Sequence, residues 1–423
     1  MSHGQKNAAM IYSADAIWRG TEGSSLVDGA VVIDGDVITW VGALTEIPAE
    51  YADAPREHFT DATLMPGLIE SHAHLAYDGG IGTKQRSFSR SPAALMAVMI
   101  ASARELLSVG VTTVRDLGTR DNLSIEVRAV IDEGIVPGPR ALVAGAQITT
   151  TGGHTWQNHA RADTPNELRR LVRAHHKAGV DLIKVNASGG FMTAGSEPRF
   201  AQFSADEFEV IVEEAHRLGK KVAAHAHGIE GIAVAVRAGV DTLEHCTFVG
   251  EGDAILPDTA LINEIVERGI HVCATATWNI PQYMRANPDF VPPVKLMYDR
   301  GVKLIAGNDA GIDGVPHRNY VGGLETSVIL GVPVEQVLIG ATSLAAEALG
   351  LEGTTGVLEP GASADLIVVG GDPLSDISTL RDIRLVVTRG NRFEPDAIDV
   401  SPPDPDLALA LGAFDQGSKV GTR

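Results

Sequence analysis

The chain has 423 residues, of which 44% are hydrophobic and 21% are charged, so it is long enough for a large core and exceeds the usual size of one domain. Its 54 acidic residues against 34 lysines and arginines give a formal charge of −20, which argues against nucleic acid or an anionic membrane surface as a partner. No window approaches 18 uninterrupted apolar residues, and the N-terminal stretch has no long apolar core. We therefore expect neither a membrane span nor an export signal.

The cysteine content points to a reducing compartment. Cys246 and Cys273 lie on separate apolar segments, and their spacing matches no zinc-binding motif and predicts no disulfide framework. We therefore expect a cytoplasmic protein.

Both ends of the chain have the pattern of β-strands. Short alternating apolar runs, broken by Asp-Gly and Gly turns, extend from residue 10 to about residue 64, and similar runs lie at 365–369 and 383–387. This pattern is typical of antiparallel hairpins. We predict a small β-sandwich domain that is assembled from residues 1–64 and 351–400.

The tail, residues 401–423, is rich first in Pro and Asp and then in small residues. Such a composition is typical of a mobile end or of a contact between subunits. Because the stretch 407–414 is apolar, we expect a homo-oligomer.

The pattern changes between residues 65 and 350, which we expect to form the catalytic domain. Short β-branched runs alternate there with segments of helical apolar spacing, such as 165–178, 204–218 and 259–268, as in βα units around a parallel sheet. Eight such units predict an α/β fold, a (β/α)8 TIM barrel rather than a doubly wound sheet. The predicted strands are 64–74, 111–116, 141–148, 181–187, 221–227, 241–245, 271–277 and 302–309.

Polar residues close several of these strands, at the end of a barrel where active sites lie. The first and fifth strands end in His-Ala-His, the sixth in Glu-His and the eighth in Asn-Asp, and the fourth contains a lysine. Taken singly, a hydrogen-bonded histidine, a snorkelling lysine or an Asp helix cap is the ordinary interpretation. Their convergence on one end of one barrel predicts a metal site. Its candidate ligands are His72, His74, Lys184, His225, His245 and Asp309.

The sequence around these residues resembles a known superfamily. The runs 65–74 (Met-Pro-Gly-Leu-Ile-Glu-Ser-His-Ala-His), 341–346 and 361–368 are similar to those of amidohydrolases. Within that superfamily, the context of Lys184 and the run 225–228 (His-Ala-His-Gly) resemble the branch of metal-dependent Xaa-Pro dipeptidases and ochratoxinase-like amidases, related to imidazolonepropionase. The resemblance extends from about residue 10 to about residue 393.

This resemblance implies two divalent metal ions. His72, His74 and Asp309 would bind the more buried ion, and His225 and His245 the more exposed one. Lys184 would bridge both as its carbamate, because carboxylation by CO2 turns a poor amine ligand into an oxygen donor. Desolvation beside cations favours the loss of the lysine proton that this step requires. We expect zinc, and the same donors suit manganese, iron or cobalt.

The resemblance also implies a reaction. Two ions sharing one water lower its pKa and supply a bridging hydroxide, and Asp309 would take the proton and pass it to the leaving amine. His227, which strand alternation puts on the same side as His225, would polarise or hold the substrate carbonyl. The alternative for His227 is a hydrogen bond that supports a ligand. The predicted substrate is a small molecule, a dipeptide or an N-acyl amino acid.

Loops that follow the strands are expected to hold the substrate, because they form the specificity surface of a barrel. His154 and Trp156 follow the third strand, and Arg199, Tyr283 and Arg318 follow the fourth, seventh and eighth. Any of the last three is a candidate for binding a substrate carboxylate, and each is also an ordinary surface residue.

Other functions stay open at this point. The chain could hydrolyse another carbonyl bond, in a carbamate, an anilide, a urea, an ester or a lactam such as imidazolonepropionate. Lys184 counts against a lactam substrate, because the hydrolases of such lactams use a site with one metal ion. It counts against a nucleobase deaminase for the same reason. A non-catalytic assembly protein would have a broken ligand set, whereas all six positions are occupied here.

Overall fold

Fifteen β-strands and twelve α-helices form the computed structural model, which describes residues 9–400. The strands are β1 (Met10–Trp18), β2 (Ser25–Asp34), β3 (Val37–Ala43), β4 (Arg56–Pro66), β5 (Leu68–Ala73), β6 (Val111–Asp116), β7 (Arg140–Val143), β8 (Leu182–Asn186), β9 (Lys221–Gly228), β10 (Thr242–Val249), β11 (His271–Cys273), β12 (Leu304–Ile305), β13 (Leu366–Gly370), β14 (Ile383–Thr388) and β15 (Asn391–Phe393). The α-helices are α1 (Thr83–Ser89), α2 (Pro92–Ser108), α3 (Leu123–Asp132), α4 (Pro165–Ala178), α5 (Ala205–Arg217), α6 (Ile229–Ala238), α7 (Thr259–Glu267), α8 (Ile280–Ala286), α9 (Val294–Asp299), α10 (Tyr320–Ile329), α11 (Val334–Gly340) and α12 (Ser343–Leu349). The apolar stretch 407–414, like the rest of the predicted tail, lies outside the described residues.

Strands β5 to β12 form a closed barrel of parallel strands. They pair as two ladders, β5-β6-β7 and β8-β9-β10-β11-β12, which backbone hydrogen bonds join at both edges. Ile148 N donates to Lys184 O (2.9 Å), and Ser71 N donates to Ala306 O (3.1 Å). Each strand therefore lies beside the next in chain order, and the last lies beside the first. The predicted α/β TIM barrel is confirmed.

The predicted first barrel strand, 64–74, begins too early, because two different strands meet at Gly67. β4 ends at Pro66 in the small sheet described below, and β5 begins the barrel at Leu68. A Cβ at residue 67 would lie 2.0 Å from Thr112 Oγ1, so glycine allows the Thr112 side chain to pack directly against the backbone. This tight junction sets the direction in which β5 enters the barrel.

The two ends of the described chain build one seven-stranded sheet, in the order β15-β14-β13-β4-β1-β2-β3. The β1–β2 and β2–β3 hairpins are antiparallel as predicted, whereas β1 and β4 pair in parallel. Ile38 N donates to Ala362 O (2.8 Å), so the β3 edge approaches the segment that leads into β13. We propose that this single curled sheet is the small domain expected from residues 1–64 and 351–400. Its two-layered sandwich form stays a prediction.

The helices around the barrel begin at residues that satisfy free backbone N–H groups. Ser204 Oγ accepts from Glu207 N (3.4 Å) while Glu207 Oε2 accepts from Ser204 N (2.9 Å), a capping box at the start of α5. The side chains of Thr164 and Asp258 accept hydrogen bonds from the first turns of α4 and α7, without the reciprocal bond. The helices predicted at 165–178, 204–218 and 259–268 are therefore confirmed to within a few residues.

Apolar faces of these helices cover the outside of the barrel. Phe208 and Ile211 of α5 and Val172 of α4 are fully buried in one cluster with Ile183 of β8, and this burial is the main stabilising contribution of such a layer. Among the described residues, no helix is long and apolar enough to cross a bilayer. The helices cover the sides of the barrel, and the loops after the strands surround its carboxyl end.

Candidate metal centre

All six predicted metal ligands meet at the carboxyl end of the barrel, where they line one cavity. Four of them lie within β5, β8, β9 and β10, and the other two follow β5 and β12. The carboxyl ends of parallel barrel strands surround one point, so the closed barrel brings together side chains that are distant in sequence. The six are His72, His74, Lys184, His225, His245 and Asp309.

The first group consists of His72, His74 and Asp309. Asp309 Oδ1 lies 3.3 Å from His72 Nε2 and 3.2 Å from His74 Nε2, yet it has no well-oriented hydrogen-bond partner among residues 9–400. His72 Nδ1 donates to Glu244 Oε2 (2.8 Å), and His74 Nδ1 donates to the Gly118 carbonyl (3.2 Å). In the neutral rings the hydrogens are thus on Nδ1. Three lone pairs then face one point, an arrangement that a metal cation would stabilise.

The second group consists of His225, His227 and His245. His225 Nε2 donates to the Gly189 carbonyl (3.0 Å), so its Nδ1 is the nitrogen with a free lone pair. His245 Nδ1 and His227 Nδ1 are each 2.9 Å from a hydroxyl oxygen, of Thr275 and Thr247 respectively. A hydrogen-bond partner on one ring nitrogen orients each imidazole and leaves the other nitrogen available to a metal ion or a substrate, as at known metal centres.

The two groups adjoin each other across the cavity. The rings of His72 and His245 have centroids 5.0 Å apart, and those of His225 and His245 are 4.5 Å apart. Burial lowers the pKa of both His225 and His245 well below the ordinary value for histidine. Both rings are therefore neutral at physiological pH, the state in which imidazole binds a metal ion.

Lys184 lies in the same cavity and is only 2% exposed. Its Nζ has no hydrogen-bond partner among the described residues, and burial lowers its pKa to about 8. A neutral amine is the form that reacts with CO2, so this environment favours the predicted carbamate. An orphaned, buried amine beside two sets of facing lone pairs fits a bridged pair of divalent ions.

Two candidate ligands have backbone conformations that side chains rarely adopt. His245 has φ = 70° and Asp309 has φ = 56°, both in the left-handed region. Such strain costs on the order of 1 kcal/mol or more per residue and concentrates at functional sites. The predicted eighth strand, 302–309, is longer than the observed one, because β12 ends at Ile305. Beyond it the Asp309 side chain lines the cavity.

A family model described as the amidohydrolase family matches residues 63–393. The chain belongs to the amidohydrolase family. This family depends on metal ions, and the match confirms the predicted resemblance and the predicted enzyme class, a hydrolase acting on carbon–nitrogen bonds.

Individual relatives support the same placement. Ochratoxinase from Aspergillus niger is 29% identical over 405 residues, covering 86% of this chain and 82% of the relative. Its crystal structure matches with a TM-score of 0.80 at 27% identity, covering 94% and 98%. A crystal structure of a Xaa-Pro dipeptidase with bound methionine in the active site matches with a TM-score of 0.82 at 27% identity, covering 92% and 100%. Imidazolonepropionase from Paracoccus denitrificans is 25% identical over 371 residues, covering 80% and 87%.

Of the residues predicted to bind substrate in this amidohydrolase, His154 lies in the cavity, with its ring stacked on His225 at 4.6 Å. Trp156 is 38% exposed, packs against Arg161 and is outside the residues that line the cavity. Tyr283 is outside the cavity lining, in a smaller depression that shares Phe290 with it, and contacts the Phe290 ring edge-on, with centroids 4.8 Å apart.

The two predicted arginines are not brought to the cavity. Arg318 forms an ion pair with Glu105 (2.8 Å) and lines a different depression, beside the C-terminal end of α2. Arg199 stacks its guanidinium over the Phe200 ring at 4.5 Å and is likewise outside the cavity lining. The prediction that Arg318 binds substrate is corrected on this geometry, because its charge is already paired away from the metal centre.

Sequence reasoning missed the residues that hold the ligands in place. Glu70 accepts hydrogen bonds from the backbone N–H groups of His72 (2.8 Å) and Asn308 (3.0 Å). Glu244 accepts from His72 and from Arg115 (2.8 Å each). Both acids lie within apolar strands, and because an unpartnered buried carboxylate is strongly disfavoured, that position is a usable signal in sequence.

We expect Glu244→Gln to lower the affinity for Zn2+ by roughly 10- to 100-fold, because loss of this partner weakens the orientation and basicity of His72. Competition with a chelator of known Zn2+ affinity measures the effect. Glu347→Gln is the matched control, since Glu347 pairs with Lys303 on the opposite side of the barrel. Unchanged Zn2+ affinity in a folded Glu244→Gln protein would contradict the assigned role.

Proposed function

We propose that this amidohydrolase is a binuclear metal-dependent enzyme that cleaves the amide bond of a dipeptide or an N-acyl amino acid. The main support is the buried amine of Lys184, which has no hydrogen-bond partner within residues 9–400 and shares a cavity with both ligand groups. As a carbamate, Lys184 would supply oxygen donors to the ions in place of its amine. Similarity to ochratoxinase and to a Xaa-Pro dipeptidase supports an amide as the substrate.

The proposed ligand sets follow the two groups of side chains. His72, His74 and Asp309 would hold one ion, and His225 and His245 would hold the other, while His227 of the second group is kept for the substrate. Zn2+ suits this mixture of imidazole and carboxylate donors. When bound, the two ions act as Lewis acids on the substrate carbonyl and activate the attacking water.

Asp309 has a second role in the proposed reaction. Its side chain lines the cavity and is 14% exposed. Burial alone would raise the pKa of this carboxyl group, but His72 and His74 outweigh burial and hold the pKa well below its usual range. As a carboxylate it takes a proton from the attacking water and delivers it to the amide nitrogen as the C–N bond breaks.

His227 is proposed to hold the substrate carbonyl oxygen. Burial lowers its pKa to about 3, so the ring is neutral at physiological pH. We propose that the hydroxyl of Thr247 donates to His227 Nδ1, 2.9 Å away, rather than to the more distant His227 carbonyl oxygen at 3.4 Å. The ring hydrogen is then on Nε2. The Nε2–H group is then a donor for a carbonyl oxygen.

The wall of the cavity that follows β11 suits an apolar substituent. Its walls include Ile280, Phe290 and Pro293, from the loops and helices after β11. Apolar walls with a few placed polar groups are typical of small-molecule sites. A small substrate with one apolar side chain or acyl group therefore fits the proposed function.

We also propose a cytoplasmic location and a homo-oligomeric state. Both cysteines, Cys246 and Cys273, are buried free thiols, and burial raises the pKa of the Cys273 thiol well above its ordinary value. Buried, protonated thiols are compatible with a reducing compartment. The oligomeric state is measured by light scattering of the full chain.

The proposed function is tested by metal analysis together with a substrate panel. Mass spectrometry of the purified protein is expected to find close to two divalent ions per chain, and chelation is expected to abolish hydrolysis. The panel contains Xaa-Pro and other dipeptides, N-acyl amino acids, aryl amides, carbamates, ureas and lactams. Activity on carbamates, ureas or lactams alone would favour the alternative, and a protein without near-stoichiometric metal would refute the proposal.

Lys184→Ala is expected to abolish hydrolysis, because it removes the proposed bridging ligand of both ions. Formate, acetate or propionate added to the assay is expected to restore part of the activity by replacing the carbamate. Lys221→Ala is the matched control, since Lys221 is half-exposed beside Asp241 at the amino end of β9, away from the cavity. A Lys184→Ala enzyme with wild-type rates would exclude the bridge.

His227→Asn is expected to lower kcat by about 100-fold while leaving metal content unchanged, because it removes a carbonyl donor and no ligand. Rates and metal content are measured on the same preparation. His216→Asn serves as the control, since His216 pairs with Asp241 far from the cavity. Loss of one ion from the His227→Asn enzyme would instead make His227 a metal ligand and overturn the proposed role.

A further inference from the structure

A second buried lysine lines the cavity and has no part in the proposed ligand set. Lys84 lies in α1, in the segment that follows β5, and is 7% exposed. Burial lowers its pKa to about 8, and the carboxylate of Asp313 opposes that shift. At neutral pH most of this amine is therefore a buried cation.

The ammonium group of Lys84 is only partly satisfied by the protein. Its Nζ donates to the Met192 carbonyl and to Thr193 Oγ1 (3.0 Å), and an ammonium has three donors. Among residues 9–400 it forms no ion pair, and Asp313 acts on it only through space. A buried cation bonded to neutral groups is an unfavourable arrangement that an anion would relieve.

The backbone that presents Lys84 is fixed in advance. The Asp313 carboxylate accepts hydrogen bonds from Gly82 N (2.9 Å) and Thr83 N (3.1 Å), and Thr83 Oγ1 accepts from Asp78 N (2.7 Å). These bonds connect the loop after β5 to the loop after β12. A binding group held on such a braced loop loses little conformational entropy when a ligand binds.

Lys84 also lies close to the metal centre. Burial is the main cause of the lowered pKa of His154, and the positive charge of Lys84 is the next. The His154 ring stacks on candidate ligand His225, with centroids 4.6 Å apart. The carboxylate of an amino-acid leaving group is attached to the carbon next to the scissile nitrogen. Lys84 is separated from candidate ligand His225 by the His154 ring, so its ammonium group suits that carboxylate.

The other cationic candidates are excluded by position. Among the described residues no arginine lines the cavity, and its lysines are Lys84 and Lys184. Lys184 is assigned to the ions, whereas Arg199 and Arg318 lie elsewhere. Lys84 is the cation that remains for an anionic substrate group.

We propose that Lys84 binds the free carboxylate of the substrate and so selects amides whose leaving group is an amino acid. This inference rests on the proposed amide hydrolysis for the identity of the substrate. The charge-assisted hydrogen bond from Nζ holds the carboxylate on the side of the cavity formed by the loops after β5 and β8. The scissile carbonyl is thereby directed to the metal centre.

Equilibrium binding tests this inference without requiring hydrolysis. The probes for isothermal titration of the metal-loaded enzyme are 3-phenylpropionate, which has a carboxylate, and 3-phenylpropanol, which is its neutral counterpart. Lys84→Met is expected to weaken 3-phenylpropionate binding by roughly 10- to 100-fold, the loss typical of a charge-assisted hydrogen bond. Binding of 3-phenylpropanol is expected to stay the same.

Two further variants separate binding from structure. Lys84→Arg keeps the cation and is expected to retain most of the carboxylate affinity. Lys303→Met removes a distant, half-exposed lysine that pairs with Glu347, and it is expected to bind 3-phenylpropionate like the wild type.

Several outcomes would overturn the inference. They are equal binding of both probes by the wild type, equal weakening of both probes by Lys84→Met, and loss of carboxylate binding in Lys303→Met. A wild-type enzyme that prefers 3-phenylpropionate through Lys84 but hydrolyses no member of the panel supports the carboxylate site and refutes the amidase. An enzyme that hydrolyses members of the panel but shows no preference for 3-phenylpropionate supports the amidase and refutes the carboxylate site.

Discussion

The buried carboxylate of Glu244 is the interaction on which the rest of the site depends. It is fully enclosed in the barrel, where it accepts hydrogen bonds from the Arg115 guanidinium and from His72 Nδ1, each at 2.8 Å. Burial would raise the pKa of this carboxyl group, but Arg115 and His72 hold it well below its usual range, so the negative charge persists. Because an isolated charge at this depth is strongly disfavoured, β6, β10 and β5 are held in one relative position. The same contact sets the tautomer of His72 and directs its Nε2 into the cavity.

The centre as a whole is an arrangement of lone pairs that the protein itself leaves unpaired. Each candidate imidazole is hydrogen-bonded on one nitrogen, by a carboxylate, a carbonyl or a hydroxyl, while its other nitrogen faces the cavity. His245 and Asp309 also have left-handed backbone angles, which are unfavourable in the absence of a compensating interaction. Metal ions would supply that compensation, since they attract the lone pairs that otherwise repel one another.

Two buried lysines in one cavity illustrate how position decides chemistry. Lys184 has an orphaned amine beside both ligand groups, whereas Lys84 is partly satisfied by a carbonyl and a hydroxyl at the edge of the cavity. Burial lowers the pKa of each to about 8. The first environment suits conversion to an oxygen ligand, and the second suits a cation that recognises an anion. Residue type alone does not distinguish these two roles.

The sequence by itself indicated the barrel, the strands at both chain ends and the six candidate ligands. Strand alternation can be read from neighbouring residues, and the carboxyl ends of all parallel barrel strands lie at one end of the barrel. It did not determine the break at Gly67, the supporting acids Glu70 and Glu244, or the place of Lys84 in the cavity. Only the tertiary structure decided those, since they depend on contacts between segments far apart in the chain. Arg318 shows the same limit: it follows a strand as expected, but its loop turns it to Glu105. Loop direction is set by packing and has no periodic signal in sequence.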